Sequence, residues 1–145
     1  DFDLVVFGAD EKTSPFAGKK FGNISIRYVG YINDTFRLVD LYRHAAVMVV
    51  PSLTENLSCA IMEAMSCGTP VVAFNIGGNA DMIDHLQNGY LAHEHDNSDL
   101  ANGIEWVLQN NQDGHLGTAA REKVLAIYTP EIVCPKYIDL YHSLL

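Results

Sequence analysis

The sequence contains few basic residues for its size. Lys and Arg together number 9 among 145 residues, whereas Asp and Glu number 18, so the formal net charge is −9. A field of this sign repels nucleic-acid phosphates and anionic lipid headgroups. The composition therefore argues against a protein that binds nucleic acid through a basic patch, and we expect no nucleic-acid partner.

Cysteine is also scarce, and long apolar runs are missing. Cys59, Cys67 and Cys134 form no CxxC pair and leave one cysteine over, which fits a reducing compartment better than a disulfide scaffold. No run reaches the ~18 apolar residues that span a bilayer, and no basic segment precedes an apolar one at the start. We expect a protein without a transmembrane segment, located in the cytoplasm.

The sequence does contain a series of short apolar runs bounded by Gly or Pro. With 48% hydrophobic residues, the chain can bury the core of one domain, over residues 1–145. The runs at 46–50 and 71–74 show no polar alternation, which is typical of strands buried on both faces of a parallel sheet. The predicted strands occupy residues 4–7, 24–29, 46–50, 71–74 and 90–92.

Helical periodicity occupies much of the sequence between and after these runs. Residues 9–20 show no such period and are predicted to form a loop. The alternation predicts an α/β fold with a Rossmann-like, doubly wound parallel sheet and a helical C-terminal tail. The predicted helices occupy residues 34–45, 57–65, 98–108 and 114–128, with a last helix from Pro130.

Glu63 is the one charged residue on the helix predicted over 57–65, whose other positions are small or apolar. Its carboxylate must therefore reach solvent at a cleft or accept hydrogen bonds from another group. Glu55 lies eight residues earlier, in the loop before the helix. Ser52 or Thr54 of the same loop can act as the N-cap of this helix. The free N–H groups of the first turn, at about residues 56–58, are expected to point into the same cleft.

The residues around the two glutamates resemble a family signature. Glu55 and Glu63 form a Glu-x7-Glu pair between a Pro-Ser strand end and a Glu-Ala-Met-x-Cys-Gly-x-Pro-Val-Val run at residues 63–72. The pattern resembles that of retaining, GT-B-fold glycosyltransferases of family 4. It implies that the chain is the C-terminal, donor-binding half of a GT-B fold. Further matching segments are Val29-Gly30-Tyr31, Leu41-Tyr42, Gly77-Gly78 and Asn88-Gly89.

The resemblance also implies roles for individual residues. Glu63 would bind the ribose hydroxyls of a nucleotide, because a carboxylate can accept two hydrogen bonds from a vicinal diol. Glu55 would be the catalytic carboxylate beside the anomeric carbon of the donor sugar. The backbone amides of Asn56, Leu57 and Ser58, at the helix start, would face the sugar or the diphosphate. The nucleobase would be contacted by Gly30, Tyr31 and Ile32.

The implied activity is transfer of a sugar, with retention, from a nucleoside-diphosphate sugar to an acceptor, as in polysaccharide biosynthesis. The resemblance implies no metal and no cofactor, since the nucleoside-diphosphate sugar is a substrate. The family's first βα unit, with its basic diphosphate loop, and its N-terminal acceptor domain have no counterpart in this sequence. We therefore expect this chain alone to be inactive, and a full-length protein could associate peripherally with a membrane.

Two other functions stay open at this point. One is a nucleotide-sugar-binding module without turnover, and the other is a GT-B-type nucleotide-sugar epimerase. The family usually has Glu-Gly-Phe-Gly-Leu-Pro where this chain has residues 55–60, so neither the sugar nor the choice of UDP or GDP is predicted.

Four further motifs have simpler interpretations. The His-Glu-His-Asp run at 93–96 lies in a polar loop without a third ligand cluster nearby, which disfavours a metal site. Gly77-Gly78 is interpreted as a tight turn that lets a phosphate or sugar approach closely. Cys59 and Cys67 are expected to be buried helix residues. The apolar face over 132–144 is most simply that of a packed helix, but in GT-B enzymes the terminal helix returns to the other domain, which would leave part of this face exposed here.

Overall fold

The chain divides into two units, residues 1–40 and 41–145, in the computed structural model. The structure describes residues 3–14, 19 and 22–144. Among these residues, the first unit holds two strands, and the second holds a three-stranded sheet with helices around it. The single-domain organisation expected from the sequence stays a prediction.

The first unit is built on two parallel strands, β1 (Asp3–Phe7) and β2 (Ser25–Gly30). A short 3₁₀ turn (Glu11–Thr13) follows β1, and the Asp10 carboxylate caps it by accepting from the Lys12 N–H at 3.0 Å. This turn agrees with the predicted loop. The rest of that loop, apart from residues 14 and 19, lies outside the described residues.

Helix α1 (Thr35–His44) follows β2, and the Asp34 carboxylate accepts from the Phe36 N–H at 2.8 Å at its start. The second unit then continues the alternation of strand and helix, and three helices follow the last strand, as the sequence predicted. These elements are β3 (Met48–Val50), α2 (Cys59–Ser66), β4 (Val71–Phe74), α3 (Asn79–Met82), β5 (Gly89–Ala92), α4 (Asn97–Asn110), α5 (His115–Ile127) and α6 (Pro130–Ser143).

The sheet of the second unit has the order β3-β4-β5, with both pairs parallel. All four residues of β4 are buried, as the continuous apolar run predicted. Val72 and Phe74 pack with Leu100 and Val107 of α4, while Val71 and Ala73 alternate to the other face. Helix α2 also packs on β3 and β4. The predicted α/β fold with parallel strands is confirmed, with the described strands forming two sheets.

Two predicted helix starts are wrong. Helix α2 begins at Cys59 with Ser58 as its N-cap, so neither Ser52 nor Thr54 caps it. The loop before the helix continues up to Ser58, and within it the Asn56 carbonyl accepts a hydrogen bond from the Gly78 N–H. Helix α4 is capped by Asp96, whose carboxylate accepts from the N–H groups two and three residues later at 2.9 and 3.0 Å. The sequence predicted a start at residue 98, whereas the helix begins at Asn97.

The last helix has a largely exposed apolar face. Helix α6 begins at Pro130 as predicted, and no residue of it is buried, which agrees with the exposed alternative and not with a fully packed helix. Tyr137, Leu140 and Tyr141 are 57%, 52% and 62% exposed. Among the described residues, no helix has the length and apolar character needed to cross a membrane.

Candidate functional site

The loop between β3 and α2, residues 51–58, carries Glu55 and is tied down by two later segments. The Gly78 N–H donates to the Asn56 carbonyl at 2.6 Å. Farther along the chain, the ring Nε2 of His95 donates to the Leu53 carbonyl at 3.1 Å. The His95 ring also meets the buried ring of Phe74 edge-on, with centroids 6.2 Å apart. A loop without secondary structure of its own therefore has defined anchor points on both sides of Glu55.

The Gly77-Gly78 turn fits against this loop because neither residue has a Cβ. A Cβ on Gly77 would lie 2.1 Å from the Glu55 carbonyl oxygen, and one on Gly78 would lie 2.6 Å from that of Asn56. Gly77 also has a φ of +48°, which L side chains rarely adopt. The tight turn predicted for these glycines is present, but what approaches it closely is the backbone of residues 55 and 56.

Glu63 lies on the exposed side of α2 and remains the one charged residue of that helix. The Tyr42 hydroxyl of α1 donates to Glu63 Oε2 at 3.0 Å, although Tyr42 itself is only 2% exposed. Burial, and then the hydrogen bond to the Glu63 carboxylate, raise the pKa of Tyr42 well above its usual range. The tyrosine is therefore a neutral donor at any physiological pH.

The sequence alone did not reveal this contact. Tyr42 and Glu63 are 21 residues apart and lie on different helices. The only available signal was that both positions fall in segments that resemble the same family. His95 was missed as well, because nothing in a polar loop predicts a bond to the Leu53 carbonyl.

The three residues before α2 do not form its first turn, so their amides are not the helix amides that we expected. Ser58 is extended and 5% exposed, and its carbonyl accepts from the Met62 N–H at 3.2 Å. Leu57 is 41% exposed. Asn56 is exposed, with its carbonyl bound by Gly78. Whether these amides contact a ligand stays a prediction.

The predicted base contacts lie in the first unit, between β2 and α1. Gly30 ends β2 with a φ of +68°, and its carbonyl accepts from the Gly8 N–H at 2.9 Å. Tyr31 is 78% exposed, and Ile32 is half-buried. These residues belong to a different unit from the two glutamates.

The other sequence motifs take local roles. His93 Nδ1 lies 2.5 Å from Asp99 Oδ2, whereas His95 is bound to Leu53, so the two histidines have different partners. Among the described residues, no three His, Cys, Asp or Glu side chains are grouped closely enough to hold a metal ion. The cysteine prediction is wrong for Cys59, which is exposed, and Cys67 is half-buried. Burial raises the pKa of the Cys67 thiol.

Comparison with known proteins gives a consistent picture. D-inositol 3-phosphate glycosyltransferase 2 of Catenulispora acidiphila is 40% identical over 83 residues, which are 57% of this chain and 19% of the relative. Sucrose-phosphate synthase of Thermosynechococcus elongatus superposes with a TM-score of 0.80 at 30% identity, over 97% of this chain and 38% of that one. This likeness confirms the predicted fold of the C-terminal half of GT-B glycosyltransferases.

A third match is a structure solved with a nucleotide. TarM of S. aureus, in complex with Fondaparinux, alpha-GlcNAc-glycerol and UDP, has a TM-score of 0.67 at 28% identity, over 81% of this chain and 24% of that one. The matches thus cover between 19% and 38% of these three proteins. The family model for glycosyl transferases group 1 matches residues 1–123. Because this match covers most of the sequence, the chain belongs to the group 1 glycosyl transferases.

Proposed function

We propose that this chain is the donor-binding domain of a retaining, family 4 glycosyltransferase that uses a nucleoside-diphosphate sugar. The observation that carries the proposal is the exposed carboxylate of Glu63, which a buried tyrosine holds on an otherwise uncharged helix. Glu55 precedes it in a loop that the Gly77-Gly78 turn fixes. Membership of the group 1 glycosyl transferases and the likeness to the UDP-bound TarM support this assignment.

In this proposal Glu63 binds the nucleotide ribose. A carboxylate has about four acceptor positions, enough for Tyr42 and for both hydroxyls of a vicinal diol. Glu55 lies beside the anomeric carbon, where a negative charge stabilises an oxocarbenium-like transition state more than it stabilises the bound sugar. The amides of residues 56–58 face the sugar or diphosphate, and residues 30–32 contact the base.

The remaining parts of the reaction concern a longer protein. We propose that the acceptor is bound by a separate domain, because the relatives are several times as long as the segment that matches them. We also propose that the reaction needs no resident metal or cofactor and that the enzyme works in the cytoplasm. Formation of a polysaccharide or another glycoside would depend on the acceptor domain.

The test is isothermal titration of the chain with UDP, GDP and ADP. At least one diphosphate should bind, and Glu63→Gln should weaken it by about 10- to 150-fold, the loss expected for a carboxylate bonded to two hydroxyls. Glu105→Gln is the control, because Glu105 is an exposed glutamate on α4, a helix that packs on β4 and β5. Failure of all three to bind, or equal losses in both variants, would contradict the proposal.

A further inference from the structure

We propose that Tyr42 is a positioning residue that holds Glu63 ready for the ribose diol and thereby sets the preference for ribonucleotides. The inference rests on the proposed function, since it assigns a role to a neighbour of the ribose-binding carboxylate. It starts from one contact, the bond of 3.0 Å from the Tyr42 hydroxyl to Glu63 Oε2.

Tyr42 is itself firmly placed. Its side chain is 2% exposed, and its backbone carbonyl accepts from the Thr69 hydroxyl at 2.6 Å and from the Ala45 N–H at 3.0 Å. Thr69 is 1% exposed and lies just before β4. The donor that meets Glu63 therefore belongs to the buried frame of the second unit.

Glu63 would be far less ordered without this donor. Its side chain is exposed on α2, and a free glutamate loses side-chain conformational entropy when it is fixed in one rotamer. Tyr42 fixes part of that conformation before a ligand arrives. A nucleotide then meets a carboxylate that is already ordered, which favours binding through reduced entropy loss.

The bond from Tyr42 also has two effects that weaken ribose binding. The tyrosine occupies one acceptor position of Glu63, but about three positions remain for two hydroxyls. The tyrosine also withdraws some charge from the carboxylate, but only a little, because the pKa of Tyr42 is raised and its proton stays on the phenol. Ordering of Glu63 should therefore outweigh both.

A simpler explanation is that a buried tyrosine only needs an acceptor. Tyr90 shows that case, since its hydroxyl donates to Asp99 Oδ1 at 2.8 Å and both residues serve the packing of β5 and α4. The two explanations differ in how removal of the Tyr42 hydroxyl changes the affinity for a ligand. Loss of a purely structural bond would lower folding stability. Loss of a positioning bond would lower the affinity only for ligands that carry the ribose hydroxyls.

The experiment compares Tyr42→Phe with the unchanged chain by calorimetric titration with UDP and with 2′,3′-dideoxy-UDP. The phenyl ring keeps the packing, and thermal melting checks the fold. We expect affinity for UDP to fall by about 3- to 10-fold. Affinity for the dideoxy compound, which has no diol, should stay the same.

Two further variants complete the test. Tyr90→Phe removes a similar hydroxyl-to-carboxylate bond and should leave both affinities unchanged. In the Glu63→Gln background, Tyr42→Phe should not lower the affinity for UDP further, because Tyr42 acts on the ribose only through Glu63. Each of these results supports the inference.

Three outcomes would overturn it. In the first, Tyr42→Phe weakens both ligands equally, which identifies a structural bond. In the second, it changes neither affinity. In the third, the unchanged chain binds UDP and its dideoxy form equally well, so the ribose is not read although the diphosphate binds. If the unchanged chain binds no diphosphate in the titrations with UDP, GDP and ADP, the proposed function fails instead, and this inference fails with it.

Discussion

At the scale of single residues, the two glutamates occupy different surroundings. Glu55 is half-buried in a loop whose backbone is held by the Gly77-Gly78 turn, whereas Glu63 is exposed on a helix and bonded to Tyr42. A group that makes the same bonds in the ground and transition states contributes to binding alone. A group near the reacting carbon contributes to the rate. In the proposed function, Glu63 is a group of the first kind and Glu55 a group of the second.

This difference predicts separate kinetic effects. In the full-length enzyme, Glu55→Gln should lower kcat by about 100-fold or more, a loss typical of a group that stabilises developing charge, with little change in affinity for the bare nucleoside diphosphate. Steady-state kinetics and calorimetry of the variant measure the two quantities. If Glu55→Gln lost nucleotide affinity as severely as Glu63→Gln while kcat was unchanged, the pair would be only a binding clamp.

A second prediction at this scale concerns alkaline pH. The pKa of Tyr42 is raised above its ordinary value of 10.0 in the folded chain, so the unfolded chain loses this proton first. Above about pH 10 the folded state binds more protons, and the free energy of unfolding falls as pH rises, by up to about 1.4 kcal/mol per pH unit from this group.

Tyr42→Phe should therefore reduce the loss of stability between about pH 9 and about pH 11, as measured by urea unfolding. Tyr137→Phe is the control, because its ring is 57% exposed on α6. Equal pH dependence in Tyr42→Phe and the unchanged chain would contradict an upward shift in the pKa of Tyr42.

At the scale of elements, the sequence predicted what local composition determines and missed what distant contacts determine. The run at 71–74 was predicted to the residue, because four consecutive apolar residues after Pro70 have no other stable place than a buried strand. The start of α2 was placed too early. The Asn56 carbonyl accepts from Gly78, and a bond between segments 22 residues apart leaves no pattern in the loop itself.

The Gly77-Gly78 turn yields a prediction at this scale. Gly77→Ala would place its Cβ within 2.1 Å of the Glu55 carbonyl oxygen, so the loop must move. We expect a loss of about 1–3 kcal/mol in the free energy of unfolding from this overlap, beyond the cost of a positive φ. In the full-length enzyme kcat should fall as it does for Glu55→Gln.

Gly114→Ala separates the two causes. Gly114 also has a positive φ, +77°, but a Cβ there would meet nothing within 4 Å. It should lose only about 1 kcal/mol, the cost of the backbone conformation. If urea unfolding gave the same loss for both alanine variants, the overlap with the loop would not be significant.

At the scale of the whole molecule, the sequence predicted the fold class and a glycosyltransferase of the GT-B type, but it did not predict the division into two units. The apolar runs that predicted the strands give no information on which strands pair, and the described strands pair as two and three. The same limit applies to the candidate site. Its two carboxylates were found through the resemblance to a family signature. The tyrosine bonded to Glu63 and the histidine bonded to the loop of Glu55 lie on other elements and were not found.

The extent of the chain leads to the last prediction. The matched segments span 19% of the D-inositol 3-phosphate glycosyltransferase and 38% of the sucrose-phosphate synthase. Holding donor and acceptor together in one site supplies much of the rate of a group transfer. We expect the purified chain to bind a nucleoside diphosphate but to transfer no sugar. Transfer at a rate comparable with that of a full-length enzyme would contradict this expectation.

The exposed thiol of Cys59 gives the molecule a built-in attachment point for an optical reporter. Cys59 opens α2 and lies four residues before Glu63, one helical turn away on the same side of the helix. Cys67, half-buried and with its thiol pKa raised, is less reactive towards maleimides than an exposed thiol. With Cys134 replaced by serine, a fluorophore on Cys59 would be attached about 6 Å from the Cβ of Glu63, and a nucleotide that binds as proposed would change its emission.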